Sequence, residues 1–111
     1  MNRSISLLRK EADIRNAVAY ILEFELTNSS IINPTLVDCE LSADLSHLKL
    51  YVTFSSKNEE GLQALKNASG FIRSRLANKL NWRKIPELHF FLDEVVDHGM
   101  KIDNIINNFD K

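Results

Sequence analysis

The hydrophobic residues of this chain change their spacing four times, and the order of those changes limits the folds open to it. Over residues 5–26, Leu7, Leu8, Ile14, Val18, Ile21, Leu22 and Leu26 mark one stripe of a helix. Ser4 or Ser6 suits the cap at its start, and Asn28, Ser29 and Ser30 are turn formers that end it. The spacing then becomes alternating. Val37, Cys39 and Leu41 are separated by Asp38 and Glu40, and Leu48, Leu50, Val52 and Phe54 by Lys49, Tyr51 and Thr53. Alternation puts one face of a strand in the core and the other in water. The polar stretch 42–46 between the two runs predicts an antiparallel hairpin.

Helical spacing returns over residues 59–84 through Leu62, Leu65, Ile72, Leu76 and Leu80. Gly70 falls in the middle, where glycine is disfavoured, so this stretch reads as two helices meeting at Ala68-Ser69-Gly70, the second stopped by Pro86. Leu88, Phe90 and Leu92 alternate as a third strand, and Ile102, Ile105, Ile106 and Phe109 predict a last short helix. The expected architecture is α+β, with a three-stranded sheet packed by helices. At 111 residues it is one domain over 1–111, with residues 1–4 and 110–111 frayed.

Composition sets further bounds. With 44% hydrophobic and 26% charged residues the chain is globular in type. Its single cysteine, Cys39, excludes an internal disulfide and fits a reducing compartment. No apolar run has the length of a secretory signal or a membrane span. The expectation is a cytoplasmic, monomeric protein with no membrane role and no small-molecule substrate.

The net charge of −1 conceals an asymmetry. Residues 71–84 carry Arg73, Arg75, Lys79, Arg83 and Lys84 and no acid. Residues 85–111 carry six acids against two lysines. Arg75, Lys79 and Arg83 recur at helical spacing, which predicts one basic stripe on the second helix of the pair, with Trp82 near its end. Clustered cations beside an aromatic ring can neutralise phosphates and stack on an unpaired base. A solvated helix face has the same spacing, but such faces usually mix signs. Arg9, Lys10 and Arg15 on the first helix extend the basic surface.

Residues for catalysis are missing. There is no phosphate-cradling glycine loop and no nucleophile elbow. Asp38 and Glu40 read as outward strand residues and Asp44 as a turn residue. His47 and His89 fall on outward strand positions and His98 in a turn, so all three read as surface histidines, although adjacent strands would bring His47 and His89 together. Cys39 points inward as a small core residue. No enzyme activity, metal or cofactor is expected.

Three segments resemble one family, ribosome-binding factor A, over about residues 9–106. They are Ala68-Ser69-Gly70-Phe71-Ile72-Arg73 followed by Pro86-Glu87-Leu88-His89-Phe90; the hairpin from Ser42 to Val52; and the stretch from Asp93 to Gly99-Met100-Lys101-Ile102. The resemblance implies a KH-like fold of the second type, in which Ala68-Ser69-Gly70 replaces the GxxG loop as a structural kink. It implies a non-catalytic bacterial factor that binds free or immature small ribosomal subunits and their RNA. Such a factor assists late maturation near the 5′ end of that RNA, with a link to cold adaptation. Arg73 and Arg83 match basic positions of the family motif, while Arg75, Lys79 and Lys84 extend it. Asn28-Ser29-Ser30 stands where the family has Asp-Pro-Arg, and neutral Asn81 fills a basic position. The competing reading is a KH-like protein-interaction module without an RNA role.

Overall fold

The hairpin organises the molecule. The computed structural model describes residues 4–93. Within them, β1 (Thr35–Leu41) and β2 (His47–Thr53) pair antiparallel, with Leu41 opposite Leu48 and Cys39 opposite Leu50. Leu36 pairs with Val52 and Asp38 with Tyr51, so Val37 is left over as a bulge. Leu48, Leu50 and Val52 are buried on one face, as alternation requires, while His47 and Lys49 are exposed on the other. The loop between the strands is held by side chains rather than by glycine. Asp44 accepts hydrogen bonds from the Ser42 and Ser46 hydroxyls at 2.8 and 2.7 Å and from the Ser46 amide at 3.1 Å. These donors, the Ser46 hydroxyl foremost, hold the Asp44 carboxyl far below the usual carboxylate range.

Helix α1 (Ile5–Tyr20) starts at Ser4, not Ser6; the Ser4 Oγ accepts from the Leu7 amide at 3.0 Å. The single helix expected through residue 26 is divided. Its last turn, Ile21–Glu25, is π-helical and closes with the Leu26 amide donating to the Ile21 carbonyl at 3.1 Å. Ile14, Val18, Ile21 and Leu22 form the buried stripe. The Glu11 carboxylate accepts from the Leu41 amide at 2.9 Å and ties α1 to the end of β1.

Helices α2 (Asn58–Asn67) and α3 (Ser69–Lys79) meet as expected, and the bend falls on Ala68, at φ −91° and ψ 6°. Gly70 lies in the first turn of α3 with ordinary φ, and a Cβ there would meet nothing within 4 Å. The bend therefore does not depend on glycine. Gly61 is the constrained glycine: a Cβ would stand 2.7 Å from the buried ring of Phe54, so any larger residue there would force the ring or α2 to shift.

The second helix ends earlier than its hydrophobic spacing implies. α3 stops at Lys79, and Leu80 is already extended. Leu80, Trp82 and Ile85 turn onto the core, and Pro86 is fully buried. A helix carried to Lys84 would leave only two residues to turn back before β3. Strand β3 (Glu87–Leu92) runs parallel to β2, with His47 opposite Glu87 and Leu50 opposite Phe90, giving the order β1-β2-β3. α1, α2 and α3 supply Ile14, Val18, Leu65, Ile72 and Leu76 to one core with the inward residues of the sheet. Cys39 is buried there, as expected, and burial pushes its thiol pKa up. The expected helix ending at Phe109 and the turn at His98 lie outside the described residues.

Candidate nucleic-acid interface

The early end of α3 breaks the expected stripe. Arg83 does not follow Arg75 and Lys79 along a helix, because residues 80–86 form an irregular connection with a bend at Arg83 and Lys84. The basic residues divide instead into two groups.

The first group surrounds a pocket of about 280 Å³ lined by Lys10, Asp44, Leu45, Asn81, Trp82, Arg83 and Lys84. It joins three distant segments of sequence: α1, the β1–β2 loop and the α3–β3 connection. Trp82 is half-buried, with its ring packed against the core. The Lys10 ammonium lies 5.5 Å from the centre of that ring. Among the described residues no ion pair joins Lys10, Arg83 or Lys84 to an acid. The pocket's one carboxylate, Asp44, is engaged by the serines of its own loop. Leu45 on the pocket wall has φ 65°, a left-handed conformation costly for a branched side chain, held in place by that serine–aspartate network.

The second group is already paired. Arg75 Nε and Lys79 Nζ each lie 2.9 Å from the Glu25 carboxylate, and the Glu25 side chain is only 15% exposed. Lys79, and with it Arg75, holds the Glu25 carboxyl below its ordinary range. Lys79 also sits 4.4 Å from the centre of the Tyr20 ring, Tyr20 packs on Phe24 at 4.9 Å, and Arg75 sits 5.7 Å from Phe71. These three rings are exposed. Glu25, Tyr20, Phe24 and Phe71 were not visible as site residues in the sequence. Glu25 is 50 positions from Arg75, and only the π-helical turn brings it beside α3.

The remaining sequence candidates take separate positions. Arg73 donates to the Ile85 carbonyl at 2.9 Å and fastens the α3–β3 connection. Arg15 pairs with Asp38 at 2.7 Å. Arg9 is exposed on α1. His47 and His89 lie on the outer face of the sheet, and the adjacent strands bring them together. His47 Nδ1 lies 3.0 Å from His89 Nε2, with Glu87 beside them.

A family model for ribosome-binding factor A matches residues 6–106. The chain belongs to the ribosome-binding factor A family. A relative of that name from Mycoplasmopsis agalactiae is 55% identical over 108 residues, covering 97% of this chain and 96% of the relative. Its counterpart in Mycoplasmopsis pulmonis is 38% identical over 109 residues, covering 98% and 97%. Among solved structures, the crystal structure of ribosome-binding factor A from Thermus thermophilus is 28% identical with a TM-score of 0.73. It covers 78% of this chain and 93% of that one. The Thermus thermophilus coordinates fitted into a cryo-EM map of a 30S complex with ribosome-binding factor A are 28% identical with a TM-score of 0.68. They cover 77% of this chain and 92% of that one. The expected KH-like α+β fold, with helix, bend and helix between β2 and β3, is borne out. Among the described residues no helix is long and apolar enough to cross a membrane.

Proposed function

We propose that this protein is a non-catalytic assembly factor that binds free or immature small ribosomal subunits in the cytoplasm and assists late maturation near the 5′ end of their RNA. The observation that carries this reading is the pocket of Lys10, Trp82, Arg83 and Lys84, whose cations are unpaired among the described residues. Family membership and the likeness to coordinates fitted into a 30S complex support it.

The chemistry is that of binding. Lys10, Arg83 and Lys84 neutralise backbone phosphates and release their counterions. Trp82 offers a ring on which an unpaired base can stack, in a pocket too small for a duplex. Arg75 and Lys79 exchange Glu25 for phosphate once the RNA is close, and Arg9 and Arg15 widen the basic field. Arg73, with the bend at Ala68, sets the angle at which α3 and the following connection meet the RNA. Such a factor acts through its different affinities for two states of the subunit, holding one and leaving when the other forms.

Co-sedimentation with small subunits, large subunits and joined ribosomes over a salt series tests this. Selective association with free small subunits, weakening steeply with salt, is expected. A folded protein that fails to associate at low salt would overturn the reading. Salt-independent association would favour the protein-interaction alternative.

A further inference from the structure

The outer face of the sheet carries a cluster that the subunit-binding reading does not use. His47 opens β2 and Glu87 opens β3, directly opposite each other in the parallel ladder. His89 lies two residues further along β3, on the same face. His47 Nδ1 is 3.0 Å from His89 Nε2 and 3.8 Å from Glu87 Oε1, and the three potential ligand atoms lie within 4.8 Å of one another. Bonds of about 2.0–2.2 Å in a tetrahedral zinc site place ligand atoms roughly 3.3–3.6 Å apart. The two shorter separations fall on either side of that spacing, and side-chain rotation that brings Glu87 and His89, up to 4.8 Å apart, closer together closes the site.

The donor set also has the right chemistry. Two imidazoles and one carboxylate suit late first-row divalent cations, and the carboxylate supplies charge compensation. The backbone already holds the ligands in place. The β2–β3 ladder fixes their spacing, and the Glu87 amide donates to the Ser46 carbonyl at 2.9 Å at the start of the strand. Lys49 is the neighbouring cation, in register with His89, but on its other side it faces Glu40 of β1. We propose that His47, Glu87 and His89 form a binding site for a late first-row divalent cation, with zinc as the fitting case and a fourth position open to water. This site does not depend on subunit binding.

The test is calorimetric titration of the full chain with zinc chloride, paralleled by cobalt(II) titration followed in the visible range. Expected are saturable one-to-one zinc binding, cobalt absorption typical of four coordination, and a rise in Tm on adding zinc. Losing an outer-shell partner of a metal ligand already costs about 10–100-fold in affinity, so His89→Ala and Glu87→Gln should each weaken zinc by at least ~10-fold. Both side chains face outward, so the metal-free Tm and circular dichroism should not change. His98→Ala, replacing the chain's third histidine, should bind as the parent does. Absence of saturable zinc binding by the parent would overturn the proposal, as would unchanged binding by His89→Ala. So would loss of binding in His98→Ala alone.

Discussion

Two sets of cations that look equivalent along the chain are put to different uses by the fold. Lys10, Arg83 and Lys84 gather round Trp82 and are paired with no acid among the described residues. Arg75 and Lys79 share Glu25, beneath the exposed rings of Tyr20 and Phe71. Formal charge along the sequence counts all five as available. Only the first set can take a phosphate without first giving up a partner. The second set binds α3 to the turn that follows α1, so in the proposed complex its contribution to RNA affinity is reduced by the pairing it must surrender.

The largest expected effect breaks the first set. Arg83→Glu with Lys84→Glu should weaken small-subunit binding by about 100-fold and flatten the log–log salt dependence by about two, roughly one unit for each phosphate that is no longer neutralised. Thermal unfolding should barely move; co-sedimentation across salt and a melting curve measure both.

Arg75→Gln with Lys79→Gln should weaken binding by less than about 10-fold, because those cations enter the complex already paired. It should also lower Tm, since Glu25 loses both partners while largely covered. Equal losses from the two double variants would abolish the distinction between the sets. Reversing both residues to Glu would crowd three carboxylates together, so that substitution is a poor probe of binding alone.

Glu25→Gln should act in the opposite direction, tightening binding to small-subunit RNA by about 3-fold and steepening its salt dependence, because two cations are released. The same variant gives a pH test. Glu25 is held below its ordinary range in the folded protein, so its ionised form stabilises the fold at pH above its unfolded pKa. That stability is lost as pH falls through the lowered folded value. The Tm difference between parent and Glu25→Gln should therefore be full at neutral pH and vanish in acid; a constant difference would show that the pairing is inert.

The smallest expected effect is at the bend. Gly70→Ala should raise stability by about 0.5–1 kcal/mol, because the site is helical and open. Urea unfolding reads it directly, and a loss of stability would mean that the bend does need glycine.

The strands and the paired helices were legible because each buries one face, and burial of one face fixes the period of its hydrophobic residues. Leu48, Leu50 and Val52 alternate inward for that reason, as Ile72 and Leu76 recur on α3. The end of α3 was not legible. Leu80 continues the helical spacing, but it reaches the core from an extended segment, so the pattern survives while the helix does not. The charge stripe failed with it. Gly61 carried no local signal, since its constraint is the Phe54 ring, seven residues earlier and outside the helix. The pairing of Glu25 with Arg75 depends on an approach across 50 positions, which no local spacing encodes, whereas the strand pattern already allowed His47 and His89 to meet. Of the candidate interface, the residue types were readable and their grouping was not.

The parallel pairing of β3 with β2 also has a consequence for synthesis. Chains emerge from the ribosome amino end first. Lys10 and the loop carrying Asp44 and Leu45 are made early, but the pocket they help to line also needs residues 81–84. Those residues are fastened beside the loop when the Glu87 amide reaches the Ser46 carbonyl. A nascent chain interrupted before β3 thus carries the cations without the cleft that aligns them. If the cleft is the RNA site proposed above, its grip arrives with β3, and a half-made copy is expected not to compete with finished molecules for the same target.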